Sequence, residues 1–288
     1  MAYTTIDDPG LHFNIVLYAG DDATSNAITG VGFQPDWVWL KNRSAEAGHH
    51  LGDVVRGKSG SNYYTLSSDT TAAEAVQSDN DGLNTLGSDG FTVGYTNSTG
   101  WNKSGNNYTG WCWKAGGSAS SNSDGDITSS VSANQTAGFS IVTYTASSTA
   151  TDTVGHGLGA KPNLIIVKEI NGTNQWCVAF PDVLNNNQVL QLNLTNAVFA
   201  DSAAFNDTVN TGTTSSVFVT GNGGLTGSNG QNYVAYCFAP KQGYSKFGSY
   251  VGNGSTNGPV TWTGFRPALV IVKRTDTSGG WYMWDTKR

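Results

Sequence analysis

The chain has 288 residues, a formal net charge of −6 and only 12% charged residues. With so few scattered lysines and arginines it has no basic stripe for phosphates, which excludes the usual footprint of a nucleic-acid binder. No apolar run approaches the roughly 20 residues of a spanning helix, so no membrane insertion is expected.

The N-terminal Met-Ala-Tyr-Thr-Thr-Ile-Asp-Asp run has neither the basic region nor the apolar core of a secretory signal, and synthesis in a cytoplasm is expected. Thirty-seven glycines, nine tryptophans, twelve tyrosines and eleven phenylalanines describe short strands joined by many turns around aromatic cores.

In chain order, strands are predicted over 13–18, 37–41, 50–55, 63–67, 91–95 and 108–114. The run Thr70-Thr-Ala-Ala-Glu-Ala-Val-Gln77 reads as one short helix with a threonine cap. Residues 116–125, Gly-Gly-Ser-Ala-Ser-Ser-Asn-Ser-Asp-Gly, have the composition of a flexible linker, with relative motion of the flanking units expected. Further strands are predicted over 139–144, 164–168, 176–180, 189–194, 216–220 and 233–238.

One phrase occurs three times in this series: Pro35-Asp-Trp-Val-Trp-Leu-Lys41, Pro162-Asn-Leu-Ile-Ile-Val-Lys168 and Pro267-Ala-Leu-Val-Ile-Val-Lys273. Tyr18, Tyr144 and Tyr250 precede the three lysines by 23, 24 and 23 residues. Asn107-Tyr-Thr-Gly-Trp-Cys-Trp113 answers to Asn232-Tyr-Val-Ala-Tyr-Cys-Phe238, and His49, Trp176 and Trp281 each lie eight residues after their lysine. Asp53 and Asp285 both lie twelve after it.

Near-constant offsets of several anchors identify a tandem repeat. The phrase is a continuous apolar run, which suits a central strand covered on both faces. The expected fold is all-β: tandem antiparallel β-sandwich units with Gly/Asn/Ser-rich loops, one unit over 1–117, a linker over 118–137, a second unit over 138–242 and an incomplete third over 243–288. A third copy without its late strands cannot close the same core alone. It is expected to be completed by a longer polypeptide or by another subunit.

Several motifs suggest chemistry. Gly52-Asp-Val-Val-Arg-Gly57-Lys58-Ser59 matches the phosphate-loop pattern, but Gly-Ser-Asn-Tyr-Tyr follows where a helix is required, so it is read as a turn. Glu46, Glu74 and Glu169 form no repeated acidic pair of the glycosidase type. His49 and His50 point to opposite faces of a strand and cannot share an ion; one packed and one exposed histidine is the expectation. Asp79, Asp81, Asp124 and Asp126 lie in turns without the spacing of a calcium loop. Cys112, Cys177 and Cys237 read as separate buried thiols. No metal, cofactor or catalytic residue is assigned.

The aromatic loop Asn97-Ser-Thr-Gly-Trp-Asn-Lys-Ser-Gly-Asn-Asn107 is the remaining cue. An exposed Trp101 flanked by Asn102, Asn106 and Asn107 would stack on a sugar while the amides bond its hydroxyls. The competing reading folds Trp101 back onto its own domain.

Gly32-Phe-Gln-Pro-Asp-Trp-Val-Trp-Leu-Lys41, Asp89-Gly-Phe-Thr-Val-Gly94, Trp111-Cys-Trp-Lys114, Ala137-Gly-Phe-Ser-Ile-Val-Thr-Tyr144 and Gly243-Tyr-Ser-Lys-Phe-Gly-Ser-Tyr250 together resemble a tandem-repeat protein family of marine tailed bacteriophages. The resemblance implies a virion structural protein, a tail fibre or other appendage subunit, made and assembled in the host cytoplasm. It further implies a homo-oligomer, a trimer suiting a fibre, with other virion proteins and host surface glycans as partners. A capsid-surface decoration protein and a host-polysaccharide depolymerase are the alternatives.

Overall fold

The computed structural model describes residues 3–98, 100–185, 187–207 and 212–288. The chain is all-β and its sheets are antiparallel; among the described residues the helical structure is one 3-10 turn at Pro9–Leu11.

The first copy builds a five-stranded sheet in the order Phe13–Ala19, Asn107–Trp113, Trp37–Asn42, His49–Asp53 and Leu66–Ser67. A smaller sheet of Asn26–Thr29, Gly90–Gly94 and Gly82–Gly87 covers one of its faces. The second copy repeats the large sheet with Phe139–Thr145, Asn232–Phe238, Leu164–Glu169, Cys177–Ala179 and Gln188–Gln191, and the small one with Thr153–Gly155 and Val217–Val219. The register repeats as well: Trp39 faces Trp111 across the ladder as Ile166 faces Tyr236.

Each large sheet has a core on both faces. In the phrase Trp37-Val-Trp-Leu, Val38 and Leu40 point into their own sandwich with Val16, Phe91 and Tyr108. Trp37 and Trp39 point the other way and pack with Trp113, Phe139, Ile166 and Tyr236. Alternation along a strand thus sends successive apolar residues into two different cores, which is why the phrase is apolar throughout.

The second core joins the two copies. Trp37 stacks on Tyr236 with ring centroids 4.3 Å apart and on Phe139 at 5.6 Å. Such offset aromatic pairs add about 0.5–1.5 kcal/mol each beyond their area burial.

Two expectations are corrected here. The 118–137 segment is no loose linker: Ser120–Asn122 and Ser129–Asn134 are strands that extend the second large sheet beyond Phe139–Thr145. The Gly117 N–H donates to the Asp36 carboxylate at 3.1 Å, and that of Gly116 to Ser132 Oγ at 2.9 Å. These bonds and the shared aromatic core replace the expected relative motion of units. The run 70–77 is not a helix either: Ala75 bridges Thr65, and the Glu74 N–H donates to the Ile170 carbonyl at 2.8 Å. Tertiary pairing overrides the weak local helix preference of its alanines.

The third copy consists of one hairpin, Leu269–Lys273 with Trp281–Asp285, matching Trp37–Asn42 with His49–Asp53. Its residues Leu269, Trp281 and Met283 pack against the shared core.

Candidate functional site

The residues singled out in sequence fall mostly inside the fold. Trp101 is 1% exposed and stacks on His50 at 4.8 Å, so neither ring face is open to a sugar. Asn102 is fully buried, donating to Asp21 Oδ1 at 2.7 Å and to the Ala23 carbonyl at 2.9 Å. Asn106 is half-buried and Asn107 exposed, its N–H donating to Ser44 Oγ. The polar loop is thus tied inward by its own amides, and the four residues do not form the expected glycan platform.

His49 and His50 take opposite faces as expected, but both are packed. His49 accepts from Trp39 Nε1 at 2.9 Å, while His50 lies against Trp101. Burial lowers each pKa to about 4. The phosphate-loop match is a hairpin of Lys58–Ser59 with Asn62–Tyr63, and its Arg56 is turned into the protein. The three cysteines are free and buried, burial pushing all three thiols up. Among the described residues no group of three or more metal-ligating side chains converges. Asp81 instead accepts from the Ser98 N–H and Asp126 from Thr153.

What the structure brings together is a set of contacts between copies. Tyr236 of the second copy donates to Asp53 of the first at 2.8 Å. Trp111, its equivalent in the first copy, donates through Nε1 to Asp285 of the third at 3.1 Å. Each aspartate also holds an arginine three residues on: Arg56 Nε and Arg288 Nε both lie 2.6 Å from their carboxylates. The arginines bond Leu51 O and Met283 O, each at 2.9 Å. Arg56 then lies 3.4 Å from the Tyr236 hydroxyl, and Arg288 sits 5.0 Å from the Trp111 ring.

A second pair of equivalent contacts runs along the sheet edges. Trp176 Nε1 donates to the Ser67 carbonyl at 3.0 Å, and Trp281 Nε1 to the Gln191 carbonyl at 2.9 Å. Beside them the Glu74 N–H reaches Ile170 O at 2.8 Å and the Val198 N–H reaches Thr275 O at 2.9 Å. The contact that joins the second copy to the first therefore recurs between third and second, while the Tyr236 contact recurs between first and third. The three positions form a closed cycle around the shared core.

Asp53 and Arg56 are both essentially inaccessible to water, with Glu74 at 3.4 Å completing the cluster. Burial works against the charged guanidinium, yet Asp53, Tyr236 and Glu74 together outweigh it and raise the Arg56 pKa. Burial raises Glu74. These charges are neutralised within the protein and serve as a lock between copies. The sequence signal for it was the spacing Asp53-Val-Val-Arg56, repeated as Asp285-Thr-Lys-Arg288.

The third position of the cycle is open. Tyr250, at the place of Tyr18 and Tyr144, is 54% exposed, whereas Tyr18 and Tyr144 stack on Tyr108 and Tyr233 at 4.9 and 5.3 Å. Val270 is 39% exposed, against 1% and 0% for its equivalents Val38 and Ile165. Tyr282 and Trp284 share that outward face. Among the described residues Leu269–Lys273 pairs with one strand, Trp281–Asp285, where its equivalents have a strand on both sides.

Fold and contacts define an all-β repeat protein built from antiparallel sheets around a common aromatic core. The chain belongs to the family described as a domain of unknown function, DUF7483, whose model matches residues 8–288. No curated protein and no solved structure matches it.

Proposed function

We propose that the chain is a non-enzymatic virion structural protein of a tailed bacteriophage, a tail fibre or appendage subunit that works by assembling with other proteins. The observation that supports this reading best is the tandem repetition of one antiparallel β unit whose copies are tied to one another, Tyr236 of the second copy donating to Asp53 of the first. The buried charges are used between copies, Asp53 and Arg56 locking the second copy to the first. The resemblance to phage repeat proteins supplies the particle. With Trp101 inside, this reading assigns no glycan site.

Antibody labelling of phage particles by electron microscopy tests it. Label on tail appendages is the expected outcome. Label confined to the cytoplasm of infected cells, and never on particles, ends the proposal.

A further inference from the structure

Each copy turns sharply after its early tyrosine, and the turn is built the same way three times. Three residues after Tyr18, Tyr144 and Tyr250 stand Asp21, Ser147 and Asn253. Their side-chain oxygens accept the N–H two residues on, from Ala23, Thr149 and Ser255, at 2.9, 3.3 and 3.1 Å. The residue between lies in the left-handed region each time: Asp22 at φ 62°, Ser148 at 68° and Gly254 at 66°. Aspartate and serine bear strain there that glycine does not. The pairs Asp21-Asp22, Ser147-Ser148 and Asn253-Gly254 are all exposed, so the openness of this turn in the third copy is that of the two complete copies.

The third copy alone makes the turn from an Asn-Gly pair. In such a pair the glycine nitrogen, unscreened by a side chain, can attack the amide carbon of the asparagine before it. Five Asn-Gly pairs occur, at Asn171, Asn222, Asn229, Asn253 and Asn257, and the fold treats them differently. The Gly223 N–H is held by the Ala203 carbonyl at 2.7 Å and the Gly230 N–H by the Ala146 carbonyl at 2.8 Å, so neither nitrogen is free to attack. Asn171 Oδ1 accepts from the Asn232 N–H at 3.0 Å, and Gly172 is crowded by the Glu169 carboxyl, whose charge opposes ionisation of the glycine amide. Among the described residues the Gly254 and Gly258 N–H groups have no acceptor. Of these last two pairs, Asn253 has a donor on its amide oxygen, the Ser255 N–H, and Asn257 does not. A fixed N–H at that oxygen stabilises the charge that develops there when the amide carbon is attacked.

We propose that Asn253 is a site of spontaneous self-modification, where the chain converts to aspartate and isoaspartate without an enzyme. The Gly254 nitrogen bonds to Asn253 Cγ, the Cγ–Nδ2 bond breaks, and Nδ2 leaves as ammonia with the proton that the glycine nitrogen gives up. Water then opens the cyclic imide. Attack at Cγ leaves aspartate; attack at the backbone carbonyl leaves isoaspartate, with the main chain routed through the side chain and lengthened by its methylene. Either product adds a negative charge at neutral pH. The aspartate product restores at Asn253 the carboxylate turn that Asp21 makes in the first copy. This chemistry is a property of the isolated chain and does not depend on the virion reading.

The full chain is kept folded at neutral pH, beside the same chain in urea, and both are sampled over weeks by peptide mass spectrometry with chromatographic separation of isoaspartate. Each site's rate is expressed relative to its own rate in urea. The expected result is first reaction at Asn253, no slower than in urea, with Asn222 and Asn229 slowed about tenfold by the need to break one hydrogen bond first. Gly254→Ser, which copies Ser148, is expected to keep the fold and to slow the reaction at Asn253 alone. Three results overturn the proposal: relative rates at Asn222 or Asn229 that match Asn253, an Asn253 slower in the folded chain than in urea, or an unchanged rate in the Gly254→Ser variant.

Discussion

Tyr236 and Asp53 stand 183 residues apart in the chain and meet in the shared core through a 2.8 Å hydrogen bond to a carboxylate that also holds Arg56. Trp111 and Asp285 repeat the relationship across 174 residues at 3.1 Å. A lock made twice, between different pairs of copies, ties the repeats into one body.

Removing one partner of a buried pair costs far more than removing a neutral bond to it. Asp53→Ala leaves the buried Arg56 guanidinium with the more distant Glu74, at 3.4 Å, as its remaining carboxylate, and a loss of about 3–5 kcal/mol is expected. Tyr236→Phe removes one hydrogen bond and is expected to cost about 1–2 kcal/mol. Urea unfolding of both variants checks the order; equal losses would show that Asp53 contributes only as an acceptor for Tyr236.

Trp176 and Trp281 make the same edge contact but differ in what lies behind them. Trp176 is fully buried, so Trp176→Ala is expected to lower global stability by about 3–5 kcal/mol. Trp281→Ala is expected to release the third hairpin alone: amide exchange over 269–285 accelerates while exchange over 107–113 stays unchanged. Faster exchange in both segments would show that the hairpin is integral to the shared core.

All four histidines are shifted down, burial being the first cause in each, and His49 and His50 fall to about 4. Between pH 6.5 and 4 the unfolded chain binds protons that the folded one refuses. Stability is therefore full above pH 6.5 and falls as the pH drops toward 4, by on the order of 3 kcal/mol for each of His49 and His50. Chemical denaturation at stepped pH should give this slope, and His49→Gln with His50→Gln should flatten most of it. An unchanged slope in the double variant would place the effect in the carboxylates.

Much of this fold is legible in the sequence because anchor offsets record sheet pairing. The Tyr, Lys and Tyr-x-x-aromatic-Cys anchors lie on three adjacent strands of each large sheet, and each neighbouring pair lies in direct register. The double-sided apolar run of Trp37-Val-Trp-Leu also carried the shared core, since a strand covered on both faces needs a second layer, and that layer is the neighbouring copy.

What misled was local composition. Ser120–Asn122 is an edge strand with exposed positions, and Ser129–Asn134 beside it buries Ser129 and Ser132 in small polar contacts, so the serine-rich run resembles a linker. Trp101 sits among amides that point inward to Asp21 and Ala23, which polarity alone does not reveal. The aspartates of the Asp-x-x-Arg lock stand out as a repeat, but the role of the arginines three residues on depends on a partner copy that only the three-dimensional arrangement supplies.

Calorimetry of the whole chain beside its Trp37→Ala variant tests the shared core most directly, because Trp37 belongs to the first copy yet stacks on Tyr236 and Phe139 of the second. The expected result is one transition with equal van't Hoff and calorimetric enthalpies, moved as a whole to lower temperature by a loss of about 3–5 kcal/mol. Two transitions, of which only the first copy's shifts in the variant, would contradict a common core.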